Sequence, residues 1–217
     1  MPDYALLRQT MVESQVRPND VPDTRLQAAM REVPRERFVP AAKRALAYAD
    51  STVEVVPGRH LLDPRSFAKL IQLADIGPED RVLDVGCATG YSSAVLARLA
   101  QSVTGLEQDA DLVRVASDML AAVGARNARV VQGMLTEGHK SGAPYDVIVI
   151  EGAVEEVPGA LLAQLGEGGR LAAIVQKGAQ GQARLYVRDQ GHLGSRAGFN
   201  AAVPVLAGFR QKVGFVF

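Results

Sequence analysis

The run Val82-Leu83-Asp84-Val85-Gly86-Cys87-Ala88-Thr89-Gly90-Tyr91 constrains this chain more than any other stretch, because it writes a buried strand, a glycine turn and a helix start in sequence. Gly86 and Gly90 let the backbone bend sharply and come close to a ligand, and the start of the following helix offers unpaired N–H groups. Glu107 ends the next apolar run, where a carboxylate accepts hydrogen bonds from the 2′- and 3′-hydroxyls of an adenosine ribose. Both halves of a nucleoside site are therefore present. A nicotinamide fingerprint would read G-x-G-x-x-G, but Ala88 and Tyr91 stand where its second and third glycines belong. Asp84 lies near the polar end of the ligand, where it suits a methionine ammonium group and repels a pyrophosphate. The pattern points to S-adenosylmethionine, held by Asp84, Gly86, Ala88, Gly90 and Glu107.

From about Asp80 onward, short apolar runs alternate with segments of helical period, the signature of repeated β-α units and a mainly parallel sheet. Strands are predicted at Arg81–Val85, Ser102–Leu106, Ala128–Gln132, Tyr145–Ile150 and Arg170–Val175. Helices are predicted at Tyr91–Ala100, from Leu112 to Val123 and near Gly159–Leu165. Beyond them, Ala183–Arg188, Ala201–Val205 and Lys212–Phe217 read as strands without intervening helices, an antiparallel end to the sheet. Residues 1–66 differ: charged and proline-bearing, with helices at Arg8–Val16 and Thr24–Val33, they read as a helical cap packed on a core of residues 67–217.

Composition narrows the setting. The 24 basic and 24 acidic residues cancel, which argues against a nucleic-acid or anionic-membrane partner. Cys87 is the one cysteine, so no intramolecular disulfide framework exists and a cytoplasmic setting is favoured. His60, His139 and His192 are too scattered to form a metal site with it, so no metal is expected. No run approaches the roughly 18 apolar residues of a membrane span. Nothing specifies an oligomeric state.

The chain resembles the protein-L-isoaspartate O-methyltransferase family over nearly its whole length. The matching stretches are Met11 with Gln15-Val16-Arg17, then Met30-Arg31-Glu32-Val33-Pro34-Arg35-Glu36-Arg37-Phe38-Val39-Pro40, then Ala47-Tyr48-Ala49-Asp50, before the glycine turn. Further on come Pro144-Tyr145-Asp146-Val147-Ile148-Val149 and Leu165-Gly166-Glu167-Gly168-Gly169-Arg170-Leu171. This resemblance implies a doubly wound, mostly parallel seven-stranded sheet of the class I, Rossmann-like methyltransferase type, with a helical N-terminal extension over the cleft. It also implies methylation of the carboxylate of damaged aspartyl residues in a protein or peptide, with Gln108, Met134 and Leu135 joining the cofactor site.

Three stretches depart from the family pattern. Where the family carries a Thr-Ile-Ser-Gln-Pro-like segment whose serine holds the isoaspartyl carboxylate, this chain has Gly58-Arg59-His60-Leu61-Leu62-Asp63-Pro64, which puts Leu62 at the serine position and the anionic Asp63 beside it. The family's Gly-Asp-Gly after the third core strand is Gly133-Met134-Leu135, so Met134 packs on adenine without accepting its amino group. A Thr-Ala-Ala-like loop is Glu151-Gly152-Ala153, near the acceptor. Arg59 and His60 offer replacement donors, His60 also a base for a neutral acceptor. A different methyl acceptor, or a protein that binds the cofactor without turnover, are the alternative readings.

Overall fold

The structure, a computed structural model, describes residues 2–210. Nine strands and six α-helices can be named among them. After α1 (Tyr4–Met11) the chain passes through a π-helical turn and a short 3-10 turn to α2 (Thr24–Glu32), which ends where Val33 turns extended ahead of Pro34. Two 3-10 segments lead to a hairpin of β1 (Val53–Val56) and β2 (Arg59–Leu61), then to α3 (Pro64–Ala74). The core follows as β3 (Arg81–Val85), α4 (Tyr91–Leu96), β4 (Ser102–Glu107), α5 (Ala110–Ala122), β5 (Ala128–Gln132), β6 (Tyr145–Val154), α6 (Gly159–Leu162), β7 (Leu165–Lys177), β8 (Gln180–Asp189) and β9 (His192–Asn200).

The seven core strands form one sheet in the order β5-β4-β3-β6-β7-β8-β9. β5 through β7 run parallel, and β8 and β9 add as an antiparallel meander, the doubly wound, mostly parallel sheet expected. The order reverses between β3 and β6, so the crevice outside the carboxyl ends of these strands is the ligand position that topology favours. Residues alternate faces along the central strands. Val82, Val147 and Val149 join the apolar cluster that also holds Met11, Leu26, Phe38, Phe67 and Tyr91. Leu83, Val85, Ile148 and Ile150 join the opposite one with Leu161 and Leu206. The N-terminal segment thus shares one core with the sheet face that carries Asp84.

Local chemistry explains the element ends. Asp109 caps α5 by accepting from the N–H groups of Asp111 and Leu112, and the helix buries Leu112, Ala116 and Leu120, one stripe at four-residue spacing. Asp63 caps α3, Pro64 takes its first helical position, and Asp75 closes it in the left-handed conformation.

One expectation needs correction, and two elements were not anticipated. Ala201–Val205 is not a sheet strand; it lies extended beside β6 with a single bridge, Val205 to Ala153, and β9 is the strand that closes the sheet. β9 carries almost no burial, so it lacks the apolar alternation that marks a strand in sequence. The hairpin and α3, unread in the sequence, fill the interval before Asp80. Strands of four and three residues are too short to show a period, whereas the Asp63-Pro64 pair is a helix-start signal that was available. The strand predicted at Lys212–Phe217 lies outside the described residues. No helix among them is long and apolar enough to cross a membrane.

Candidate active site

The glycine turn joins β3 to α4 at the carboxyl end of the sheet. Gly86, Ala88 and Gly90 all adopt positive φ, +81°, +50° and +92°. The positive φ at Gly86 disfavours any side chain there, and a Cβ would stand 2.8 Å from Leu206 Cδ2 and push that side-chain tip aside. α4 is only six residues long; the turn therefore serves a ligand by close backbone approach more than by a helix field. Thr89 Oγ1 donates to the carbonyl of Phe38 at 2.7 Å, tying the turn to the N-terminal segment.

Two buried carboxylates flank the turn. Asp84, fully buried on β3, accepts from Ser92 Oγ at 2.7 Å and Ser93 Oγ at 2.5 Å through Oδ2, and Oδ1 has no partner among the described residues. Burial pushes its carboxyl up to about 6, against the pull of the two serine hydroxyls. Glu107 ends β4. It accepts from the N–H groups of Gln108 at 2.8 Å, Ala88 at 3.2 Å and Asp109 at 3.3 Å. It also accepts from Arg59, whose Nε and Nη2 reach it at 3.2 Å. Arg59, expected on the acceptor side, thus forms a buried ion pair with the residue expected to hold the ribose.

The other predicted residues fall in distinct places. Leu62 is buried, and with His60 it lines a small cavity beside Gly86, Cys87 and Ala88. Asp63 does not turn its charge into that cavity: its Oδ1 accepts the Ser66 N–H at 2.8 Å as the cap of α3. Gly152 and Ala153 sit within β6 under the segment 204–206, whose Pro204 carbonyl accepts from Ala153 N–H and whose Leu206 N–H donates to Ala153. Beside β5, Leu135 is buried while Met134 is 58 % exposed, an apolar side chain left facing outward next to Gly133, whose N–H bonds the Glu107 carbonyl. Cys87 is buried, and burial holds its thiol well above the usual range, which suits a packing residue and not a nucleophile. Among the described residues no cluster of His, Cys, Asp and Glu is arranged to hold a metal.

Sequence reasoning placed Glu151 near the acceptor, and it does line the cavity; Arg35 and Leu206 are the parts of this site that it missed. Tyr91 packs against the N-terminal segment and α3: Phe38 lies 5.7 Å away edge-on, Phe67 5.5 Å away, and the Arg35 guanidinium 4.7 Å above the ring. A fully buried arginine is the sort of group that composition cannot reveal, since arginine is ordinarily a surface residue.

A family model described as protein-L-isoaspartate(D-aspartate) O-methyltransferase matches residues 7–204. A protein-L-isoaspartate O-methyltransferase of Methanoculleus marisnigri is 40% identical over 168 residues, 77% of this chain and 76% of that protein. One of Koribacter versatilis is 38% identical over 184 residues, 85% and 82% respectively. Among solved structures, a protein-L-isoaspartate O-methyltransferase superposes with a TM-score of 0.80 at 24% identity, over 93% of this chain and 66% of its own. A Plasmodium falciparum structure assigned to the same enzyme, in complex with S-adenosyl-L-homocysteine, gives 0.78 at 19% identity over 92% and 97%. At those identities the superpositions speak for the fold, a class I methyltransferase sheet, and the sequence matches speak for kinship. From residue 7 to residue 204, then, one continuous relationship runs through the N-terminal segment, glycine turn and sheet, and the chain belongs to the protein-L-isoaspartate(D-aspartate) O-methyltransferase family.

Proposed function

We propose that the protein transfers a methyl group from S-adenosylmethionine to the side-chain carboxylate of isoaspartyl residues in proteins or peptides. The observation that carries this reading is the pair of buried carboxylates, Asp84 and Glu107, at the carboxyl ends of adjacent parallel strands on either side of the glycine turn. They fit the donor. Asp84 Oδ1 is a buried acceptor without a partner, suited to an ammonium group, and the Gly86 turn is a cradle that a Cβ would fill. Glu107 accepts the ribose hydroxyls once Arg59 yields its place, with Gln108 beside it, and Met134 with Leu135 covers the adenine.

The sulfonium supplies an electrophilic methyl and a neutral thioether leaving group. One carboxylate oxygen of the acceptor forms the O–CH3 bond as the S–CH3 bond breaks, and that bonding pair stays on sulfur. No proton moves, so no strong base is required of His60. The chain supplies alignment and exclusion of water, for which effective molarities are large. Residues 1–66 do this as a cap on the core of residues 67–217: Phe38 and Arg35 close over Tyr91, and Leu62 adds an apolar wall. Arg59 and His60 on the hairpin, Asp63 through its hold on α3, and Gly152 with Ala153 on β6 shape the acceptor side. Cysteine usage, one buried thiol, supports a cytoplasmic setting.

The test is methyl transfer from labelled donor to an isoaspartyl peptide. A base-labile methyl ester is expected from the wild-type chain and not from Asp84→Ala. No ester above that control overturns the reading.

A further inference from the structure

Three buried polar groups without partners meet at one place that nothing above assigns. Arg35 Nη1, Tyr91 Oη and Glu151 Oε1 each lack a hydrogen bond of normal geometry among the described residues, although the Arg35 guanidinium lies close enough to the Tyr91 hydroxyl to interact with it. All three side chains line the same cavity, with Leu62, Phe67 and Ser92. Arg35 is fully buried, its Nε bonds the Ala47 carbonyl at 2.7 Å and its Nη2 the Leu62 carbonyl at 2.7 Å. Its cation is thus held rigidly by main-chain acceptors, and the remaining N–H groups on Nη1 are left over. A buried guanidinium without a carboxylate bonded to it is a costly arrangement unless an anion completes it.

We propose that Arg35, Tyr91 and Glu151 form a carboxylate-binding subsite beside the glycine turn, and that the carboxylate of the methyl acceptor is its occupant. Leu62 borders the cavity and offers no donor of its own, so these three supply what recognition requires. Arg35 and Tyr91 donate. Burial, with the charge of nearby Asp84 and against the pull of the Arg35 guanidinium, drives the Glu151 carboxyl well above the usual carboxylate range, which favours the protonated form that also donates. The cavity measures about 10 Å³, room for one oxygen-sized group. One oxygen of the acceptor carboxylate is held there, and the other is left towards Gly86 and Ala88, where the methyl group arrives.

The inference rests on the methyl-transfer reading, but binding tests it separately. The α-carboxylate of the cofactor shares the same chemistry, so two ligands are titrated on the full chain: S-adenosylhomocysteine alone, and a fluorescent isoaspartyl peptide in saturating S-adenosylhomocysteine. Tyr91→Phe keeps the ring and removes one donor. It is expected to weaken the peptide about tenfold and to leave S-adenosylhomocysteine within twofold. Glu151→Leu does the same, and Glu151→Gln, which keeps an N–H donor, stays near wild type. If both ring and carboxyl variants bind the peptide like wild type, if only S-adenosylhomocysteine binding falls, or if the wild type does not bind the peptide, the subsite is overturned. If the peptide binds with this dependence yet receives no methyl group, the subsite stands and the activity reading falls.

Discussion

Single side chains set how this site responds to pH and to substitution. Burial raises the Asp84 carboxyl to about 6, above its ordinary value of 3.8, so the folded chain holds this proton more tightly than the unfolded chain. Its contribution to stability is therefore full below about pH 4 and is lost as pH rises through about 6, a change on the order of 3 kcal/mol. Denaturant melts of wild type and Asp84→Asn across pH 4 to 8 check this: the difference between them shifts in favour of the variant as pH rises. Cofactor affinity runs the other way. S-adenosylhomocysteine binding is expected to tighten as pH rises through about 6 and then level off, and in Asp84→Asn to be weak and flat, by calorimetry. At position 62, Leu62→Ser places a hydroxyl on the wall of the cavity, and isoaspartyl peptide turnover is expected to rise several-fold at low peptide concentration. The same variant loses about 2–3 kcal/mol of stability, because a buried leucine leaves a void. A kcat/KM equal to wild type with a normal melt would show that residue 62 does not face the acceptor.

Among elements, the β1-β2 hairpin has a consequence its length conceals. Arg59 on β2 pairs with Glu107 on β4, so the hairpin latches onto the residue proposed to hold the ribose. Removing the arginine leaves a buried carboxylate with three main-chain N–H donors but no cation, which costs up to about 3 kcal/mol in the ligand-free chain. Arg59→Met is therefore expected to melt lower than wild type, yet to gain more than wild type when S-adenosylhomocysteine is added, since no latch must open. Thermal melts with and without ligand measure both. An equal gain in the two proteins would mean that Arg59 stays in place when the ligand binds. The turn between β3 and α4 is less forgiving. Gly86→Ala adds a Cβ at positive φ and 2.8 Å from Leu206, and cofactor binding is expected to fall below detection by calorimetry even where the fold survives.

At the scale of the whole molecule, the N-terminal segment and the sheet share a continuous apolar cluster that runs from Met11 and Phe38 through Tyr91 to Val149 and Ile174. A single cooperative unfolding transition is expected by calorimetry, and S-adenosylhomocysteine at a hundred times its Kd is expected to raise stability by about 2.7 kcal/mol. Two resolved transitions would mean that residues 1–66 fold apart from the core. The parallel sheet was legible in the sequence because β3, β4, β6 and β7 are buried apolar runs between glycine-marked turns, and Asp84, Gly86 and Glu107 are bound to those strand ends by chain connectivity. β9 was not, because an exposed edge strand is held by its ladder to β8 and carries no apolar period. The same division runs through the site. The donor side follows from local sequence, a turn whose geometry a few consecutive residues dictate. The partners of that turn come from far along the chain: Arg59 on Glu107, Arg35 on the carbonyl of Leu62, Leu206 on Gly86. Only the packed tertiary structure chooses them, because burial turns a nearby charge or an unbonded N–H into a strong demand, and burial is a property of the fold.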